Sequence, residues 1–331
     1  MKNALFIRLD RIGDLILTLP CDGLVTEEYN VHWLTPQGLD FVAQSARPKK
    51  EFSSLSKDWS FSNFLELRRL IKNIKPEVSV SFHVPWWINM TLWFCGVKRR
   101  GGVKSQWHSY LFLNKGLRQK RSQVEFHEME YNYQLVEYVF DLKINREKWL
   151  PVELAEPENE TLQFDHKQNY FVVHPGMGGS ALNWPTSSYR DLINELSEKA
   201  TVVITGTKSD EAYLTPLKMS LQDNHKVVWL DKQLSGFQLL KLLKHAKANI
   251  APSTGVLHLS ASLGAASIGL FSPIKVHQDL RWGPKGPKTT TFSPTTSCPA
   301  HFECIKEECP QFFCMDTMPV DPVAKKALSY L

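Results

Sequence analysis

The sequence has no apolar run long enough to cross a bilayer. Its longest, Val84 to Val97 (VPWWINMTLWFCGV), spans 14 residues and is broken by Asn89 and Thr91, short of the ~18 apolar residues that a spanning helix needs. It also lacks the apolar core of a secretory leader. Arg8, Asp10 and Arg11 stand where that core would lie, which predicts a cytoplasmic chain. No DxD pair is present to hold a magnesium-bound diphosphate, no Gly-Lys-Ser/Thr completes a Walker loop, and no GxGxxG occurs. No paired CxxC knuckles occur either. Four of the six cysteines fall late, at Cys298, Cys304, Cys309 and Cys314, with five, four and four residues between them. That spacing matches no common zinc pattern, so the four either pack a loop or hold a metal less conventionally. There is no repeat with a period of 20–50 residues. Nor is there a large charge excess: 39 basic and 34 acidic residues leave a net +5, too little to indicate a nucleic-acid partner.

What is present is the composition of a globular chain, 43% hydrophobic and 22% charged over 331 residues, enough for two domain cores. Short apolar runs at 3–7 (NALFI), 31–34 (VHWL) and 78–82 (VSVSF) predict strands in the first half, with helices at 64–74 and 129–140. Residues 151–168, polar, acidic and carrying Pro151 and Pro157, predict a linker. Beyond it, predicted strands at 170–174, 201–205, 226–230, 248–251 and 267–271 alternate with helices at 188–199, 237–246 and 254–263. That alternation implies a parallel sheet covered on both faces, hence an α/β fold with Rossmann-like character. The predicted organisation is a domain at 1–150, the linker at 151–168, a second domain at 169–315, and a C-terminal helix at 316–331 that packs back across the first domain.

Ligands in such sheets bind at the carboxyl ends of the strands, which singles out three loops. Arg8–Asp14 (RLDRIGD) places Asp14 at a helix start, as a cap or as a general base. Pro175–Pro185 (PGMGGSALNWP) has glycines at 176, 178 and 179, which allow backbone amides close to an anion. Ala251–Leu259 (APSTGVLHL) sets Ser253, Thr254 and Gly255 between a strand and a helix, where amides and hydroxyls converge on a phosphate, with His258 one turn further on. A fourth feature is a basic stretch. Eight lysines and arginines and no acid lie between Lys98 and Arg121, with Trp107, Tyr110 and Phe112 among them. It is either a solvated face or a surface for an anionic partner.

In this order, RLDRIGDLILTLP (8–20), RSQVEFHEMEYN (121–132), HPGMGGSALNWP (174–185), VVITGTKSDE (202–211), APSTGVLHLSASLG (251–264) and FSPIKVHQDLRWGP (271–284) resemble glycosyltransferase family nine, the heptosyltransferases of lipopolysaccharide core synthesis. The resemblance implies a GT-B fold, two Rossmann-like domains facing across a cleft, with the acceptor in the N-terminal half and the nucleotide sugar in the C-terminal half. It implies inverting, metal-independent transfer from an ADP-heptose-like donor to an anionic glycolipid acceptor. It implies that no cofactor is required, that nucleic acid is not a partner, and that the chain is cytoplasmic with peripheral contact at the inner face of the membrane. Asp14 matches the catalytic base. Gly178, Gly179, Ser180, Ser253, Thr254, Gly255 and His258 fall in donor motifs, and Asp210 or Glu211 matches a ribose contact. Arg11, Gly13, Arg99, Arg100, Arg121 and His127 are assigned to the acceptor. Two positions depart from the family pattern: Leu182 stands where a lysine is usual, and Ser253 where an aspartate is common. Either Lys208, Lys275 or Arg281 compensates, or the donor differs, or the chain binds a nucleotide sugar without turning it over.

Overall fold

The computed structural model describes residues 1–178 and 181–331 and divides into two compact α/β units. The first comprises Met1–Arg121 and Phe126–Ala155; the second comprises Ser122–Glu125 and Glu156–Leu331. The division thus falls a little beyond residue 150, and one short segment of the first half by number belongs to the second unit.

The first unit runs β1 (Lys2–Arg8), α1 (Ile12–Ile16), β2 (Tyr29–Pro36), α2 (Asp40–Ser45), β3 (Ala46–Arg47), β4 (Glu51–Leu55), α3 (Phe61–Ile74), β5 (Val78–His83), α4 (Trp86–Phe94), β6 (Arg99–Val103), α5 (Trp107–Phe112), β7 (Lys115–Leu117), α6 (Glu128–Phe140) and β8 (Glu153–Leu154). Its parallel sheet has the order β4-β2-β1-β5-β6-β7. The strand order reverses beside β1, and such a switch point opens a crevice at the strand's carboxyl end. Alternation along β1 sorts its side chains between two cores. Leu5 and Ile7 pack with Leu67 and Ile71 of α3 and Trp87, Ile88 and Leu92 of α4. Phe6 turns the other way, onto Trp33, Phe82 and Phe140.

Two readings of the sequence change here. The stretch 98–121, taken above as one basic surface, supplies two strands of the sheet. Gly101 and Gly102 in β6 leave room where a Cβ would strike Val139 and Ser81. The expected linker is tethered rather than free. Ala155 N–H donates to Ser45 O, Leu162 and Phe164 are buried, and the Phe164 ring sits edge-on to Tyr170.

The second unit runs β9 (Tyr170–Val173), α7 (Thr186–Ser197), β10 (Thr201–Ile204), α8 (Glu211–Ser220), β11 (Val227–Trp229), α9 (Gly236–His245), β12 (Asn249–Pro252), α10 (Gly255–Ser262), β13 (Ser267–Leu270), α11 (Asp279–Trp282), β14 (Thr289–Phe292) and α12 (Val320–Leu328). The order β11-β10-β9-β12-β13-β14 is parallel throughout, with its reversal between β9 and β12. The C-terminal helix, expected against the first domain, packs on α7: Val323, Ala324 and Ala327 are buried with Leu192, Ile193 and Leu196. Its small residues let the two helices approach closely, so its apolar stripe is spent within this unit.

Candidate active site

The first candidate constellation lies at the carboxyl end of β1. The β1–β5 register shifts between Ile7 and Arg8, so the strand peels away from its neighbour as it ends. Arg8 is buried, and its guanidinium is ion-paired to two carboxylates, Asp14 through a short hydrogen bond and Asp10 at 3.1 Å. Burial opposes the charge on Arg8, but the fields of Asp14, Asp10 and Glu128 outweigh it and raise its pKa. Asp10 bears the cost of sharing. Burial pushes its carboxyl upward, Arg8 pulls it back only in part, and the negative Asp14 adds to the rise. Asp14 lies in the first turn of α1, partly open to solvent. Its backbone carbonyl accepts from Thr18 Oγ1 at 2.7 Å, and Asn132 of α6 donates to Thr18 Oγ1 and Leu17 O, so α6 braces the turn. Gly13 is buried in the same turn, and Arg11 is exposed at its N-cap without a capping bond from its side chain.

The residues assigned to the acceptor separate into two groups. Arg121 and His127 belong to this neighbourhood. Arg121 pairs with the buried Glu128, donates to Asn132 Oδ1 and Gln119 Oε1, and lies over the Tyr131 ring; His127 caps α6 by accepting from Met129 N–H. Arg99 and Arg100 do not. Arg99 bonds Val139 O and Asp141, and Arg100 bonds Phe112 O and Val97 O, which ties β6 to α5 and α6. Internal contacts account for both.

The second constellation is at the carboxyl ends of β9, β10 and β12. Thr254 is the N-cap of α10, yet its side chain caps nothing, and its buried Oγ1 has no hydrogen-bond partner among the described residues. An uncapped helix start with a spare buried hydroxyl suits an anion. Ser253 and Gly255 flank it half-buried, and His258 is buried on the same helix face. On the neighbouring strand, buried His174 shares a 3.0 Å hydrogen bond with Thr205, and burial holds its pKa down to about 4.

The structure distinguishes the two ribose candidates. Asp210 is buried and fully engaged, accepting from Thr207 N–H and Oγ1 and, at 3.3 Å, from Gly178 N–H. It fastens the glycine loop to the β10–α8 turn, and a Cβ on Gly176 would lie 2.1 Å from its Cγ. Glu211 is exposed at the start of α8, paired with Lys232 and accepting from Thr215. Gly179 and Ser180 lie outside the described residues. Leu182, partly buried, packs on the apolar cluster of Val124, Ile274, Val276 and Ala300, as Cys298 and Cys304 do. Leu182, Ala300, Cys298, Cys304, Cys309 and Cys314 line one apolar cavity, and all six cysteines are free thiols. Among the described residues no group of three potential ligands is placed to hold a metal ion.

The profile described as glycosyltransferase family 9 (heptosyltransferase) matches residues 90–310. The chain belongs to glycosyltransferase family 9. It is 28% identical over 303 residues to a Haemophilus influenzae protein named "Putative glycosyltransferase", covering 86% of each chain. Its fold matches that of E. coli ADP-heptose LPS heptosyltransferase II, with TM-score 0.77 at 14% identity over 100% of this chain and 98% of that one. It also matches an E. coli heptosyltransferase solved with ADP, with TM-score 0.69 at 14% identity over 99% and 100%. The two Rossmann-like units are therefore those of the GT-B architecture, and this family 9 chain is a glycosyltransferase of heptosyltransferase type. In the sequence, the signal for the charged cluster is an arginine closing an apolar strand just before Asp10 and Asp14; that Arg8 is buried shows only in the fold.

Proposed function

We propose that the chain transfers heptose, or a closely related sugar, from an ADP-linked donor to a hydroxyl of a lipopolysaccharide core acceptor, with inversion. The observation that carries this reading is Asp14: a partly exposed carboxylate at a topological switch point, held by a buried arginine whose pKa is raised. Such a group can accept the proton of a sugar hydroxyl as its oxygen attacks the anomeric carbon. The bond from that carbon to the diphosphate breaks, and the leaving charge is met by the amides at the start of α10, the Thr254 hydroxyl and Ser253. Arg11 and Gly13 border the base and are proposed to meet the acceptor, as are Arg121 and His127 through the bracing of α6. Glu211, exposed at the start of α8, is the better proposed ribose contact, because Asp210 is buried. Peripheral membrane contact and a nucleotide-sugar donor without a cofactor complete the reading.

The test is transfer from ADP-heptose to Kdo-lipid acceptors by the wild type and Asp14→Ala. Loss of roughly 10²–10⁴-fold in kcat is expected, and full activity in the variant would sink the proposed base. Leu182 motivates a second reading, a binder of nucleotide sugar that does not turn it over. Calorimetric binding of ADP-sugar with no transfer to any acceptor would favour it.

A further inference from the structure

Helices α3, α4 and α5 follow one another along one face of the first sheet, and their outer sides are unusually apolar. In α4 (WWINMTLWF) Trp87, Ile88 and Leu92 face the core, yet Trp86, Trp93 and Phe94 face solvent. Phe61 at the start of α3 is 69% exposed, and Trp107 and Leu111 on α5 are 64% and 66% exposed. The rings cluster in two groups. Trp59 lies 5.6 Å from Trp86 and 6.0 Å from Phe64, Phe64 lies 6.4 Å from Phe94, and Trp93 leans on Phe112 at 5.9 Å. Cations sit among them: Arg68 over Phe94 and Lys104 over Tyr110, each at 5.6 Å. Leaving aside Arg99 and Arg100 of β6, residues 57–112 hold seven lysines and arginines against three acids, so the stretch is net positive.

A helix apolar on every side is buried or meets lipid, and monomer surfaces rarely leave such a patch without use. Tryptophan and other aromatics at headgroup depth, with lysine and arginine among the phosphates, are the composition of an interfacial membrane surface. Protein interfaces share the aromatics but are depleted in lysine, whereas Lys57, Lys72, Lys98 and Lys104 all lie in this stretch. We infer that the outer face of α3–α5 docks on a bilayer containing anionic phospholipid. No helix among the described residues is long and apolar enough to cross a membrane, so the contact is a surface one. The inference extends the lipid-borne acceptor of the proposed function, but different residues carry it.

The experiment is flotation of the full chain with phosphatidylcholine vesicles, with and without phosphatidylglycerol. Wild type is expected to bind the anionic vesicles about tenfold more tightly, and less so at high salt. Trp107→Ser with Leu111→Ser, and separately Trp93→Ser with Phe94→Ser, should each weaken binding about tenfold while leaving the ADP-induced thermal shift unchanged. That shift reports the donor site, so its absence in the wild type would count against the proposed function and not against this surface. Variants that float like the wild type, or binding indifferent to lipid charge, would overturn the inference. So would a wild-type dimer that the α5 variant splits, which would make the face a contact between copies.

Discussion

Two carboxylates, each 18% exposed, share one guanidinium at the end of β1, Asp14 through the shorter contact, and burial raises the Asp10 pKa. Removing the guanidinium would leave two adjacent negative charges with no partner in a buried setting. Arg8→Ala is therefore expected to cost about 3–5 kcal/mol in urea denaturation, with Arg8→Lys losing less because the charge remains. His174 makes a pH-dependent contribution. Its folded pKa, held to about 4 by burial, lies below the ordinary 6.5, so on acidification the unfolded chain takes up this proton first. Its contribution is complete above pH 6.5 and is lost as pH falls toward 4, by roughly 2–3 kcal/mol. The difference in urea midpoint between wild type and His174→Gln, followed from pH 7 to pH 4, should shrink accordingly. Asp14 was legible as a residue because it opens a helix after a short apolar strand. Arg8 was not, because only folding shows that its charge is enclosed.

Elements were legible where their periodicity was complete and illegible where it was short or mixed. The strand at 78–83 and the helices at 128–140 and 236–245 fell close to expectation, since each carries a clear apolar pattern. Strand β6 (RRGGV) did not: two arginines and two glycines give no β signal, and only the closeness of Val139 and Ser81 explains the glycines. The glycine loop behaves similarly. Gly176 looked like an anion-binding glycine, but its missing Cβ makes room for Asp210. Gly176→Ala should displace Asp210 from its bonds to Thr207 and Gly178, cost about 1–3 kcal/mol, and weaken ADP-sugar binding in calorimetry. At α10 the opposite holds. The sequence suggested hydroxyls at a helix start, and the fold leaves Thr254 Oγ1 enclosed and unpaired among the described residues. Thr254→Val should weaken ADP binding with little loss of stability, since no internal hydrogen bond of that hydroxyl is broken.

At the scale of the whole chain, the units are not simple halves. Ser122–Glu125 crosses into the second unit, where Val124, with a positive φ of 55°, is buried beside Ile274, Val276 and Ala300, and Ser122 O meets His301. Val124→Asp would put an unpaired charge in that cluster. Hydrogen exchange should rise in peptides covering 274–276 and 298–301, although the substitution lies in the first half by number, while β1 and β5 keep their protection. By itself the sequence determined the alternating parallel α/β sheet of the second half, which loops follow its strands, and which aspartate opens the first helix, because alternation and strand-end position are local properties of the chain. Only the tertiary structure decided which of the charged residues are enclosed, that Asp210 is spent on the glycine loop, that Arg99 and Arg100 serve the sheet, and that the aromatics of α3–α5 remain outside. Those outcomes depend on which side chains meet across the fold, and burial is set by partners distant in sequence.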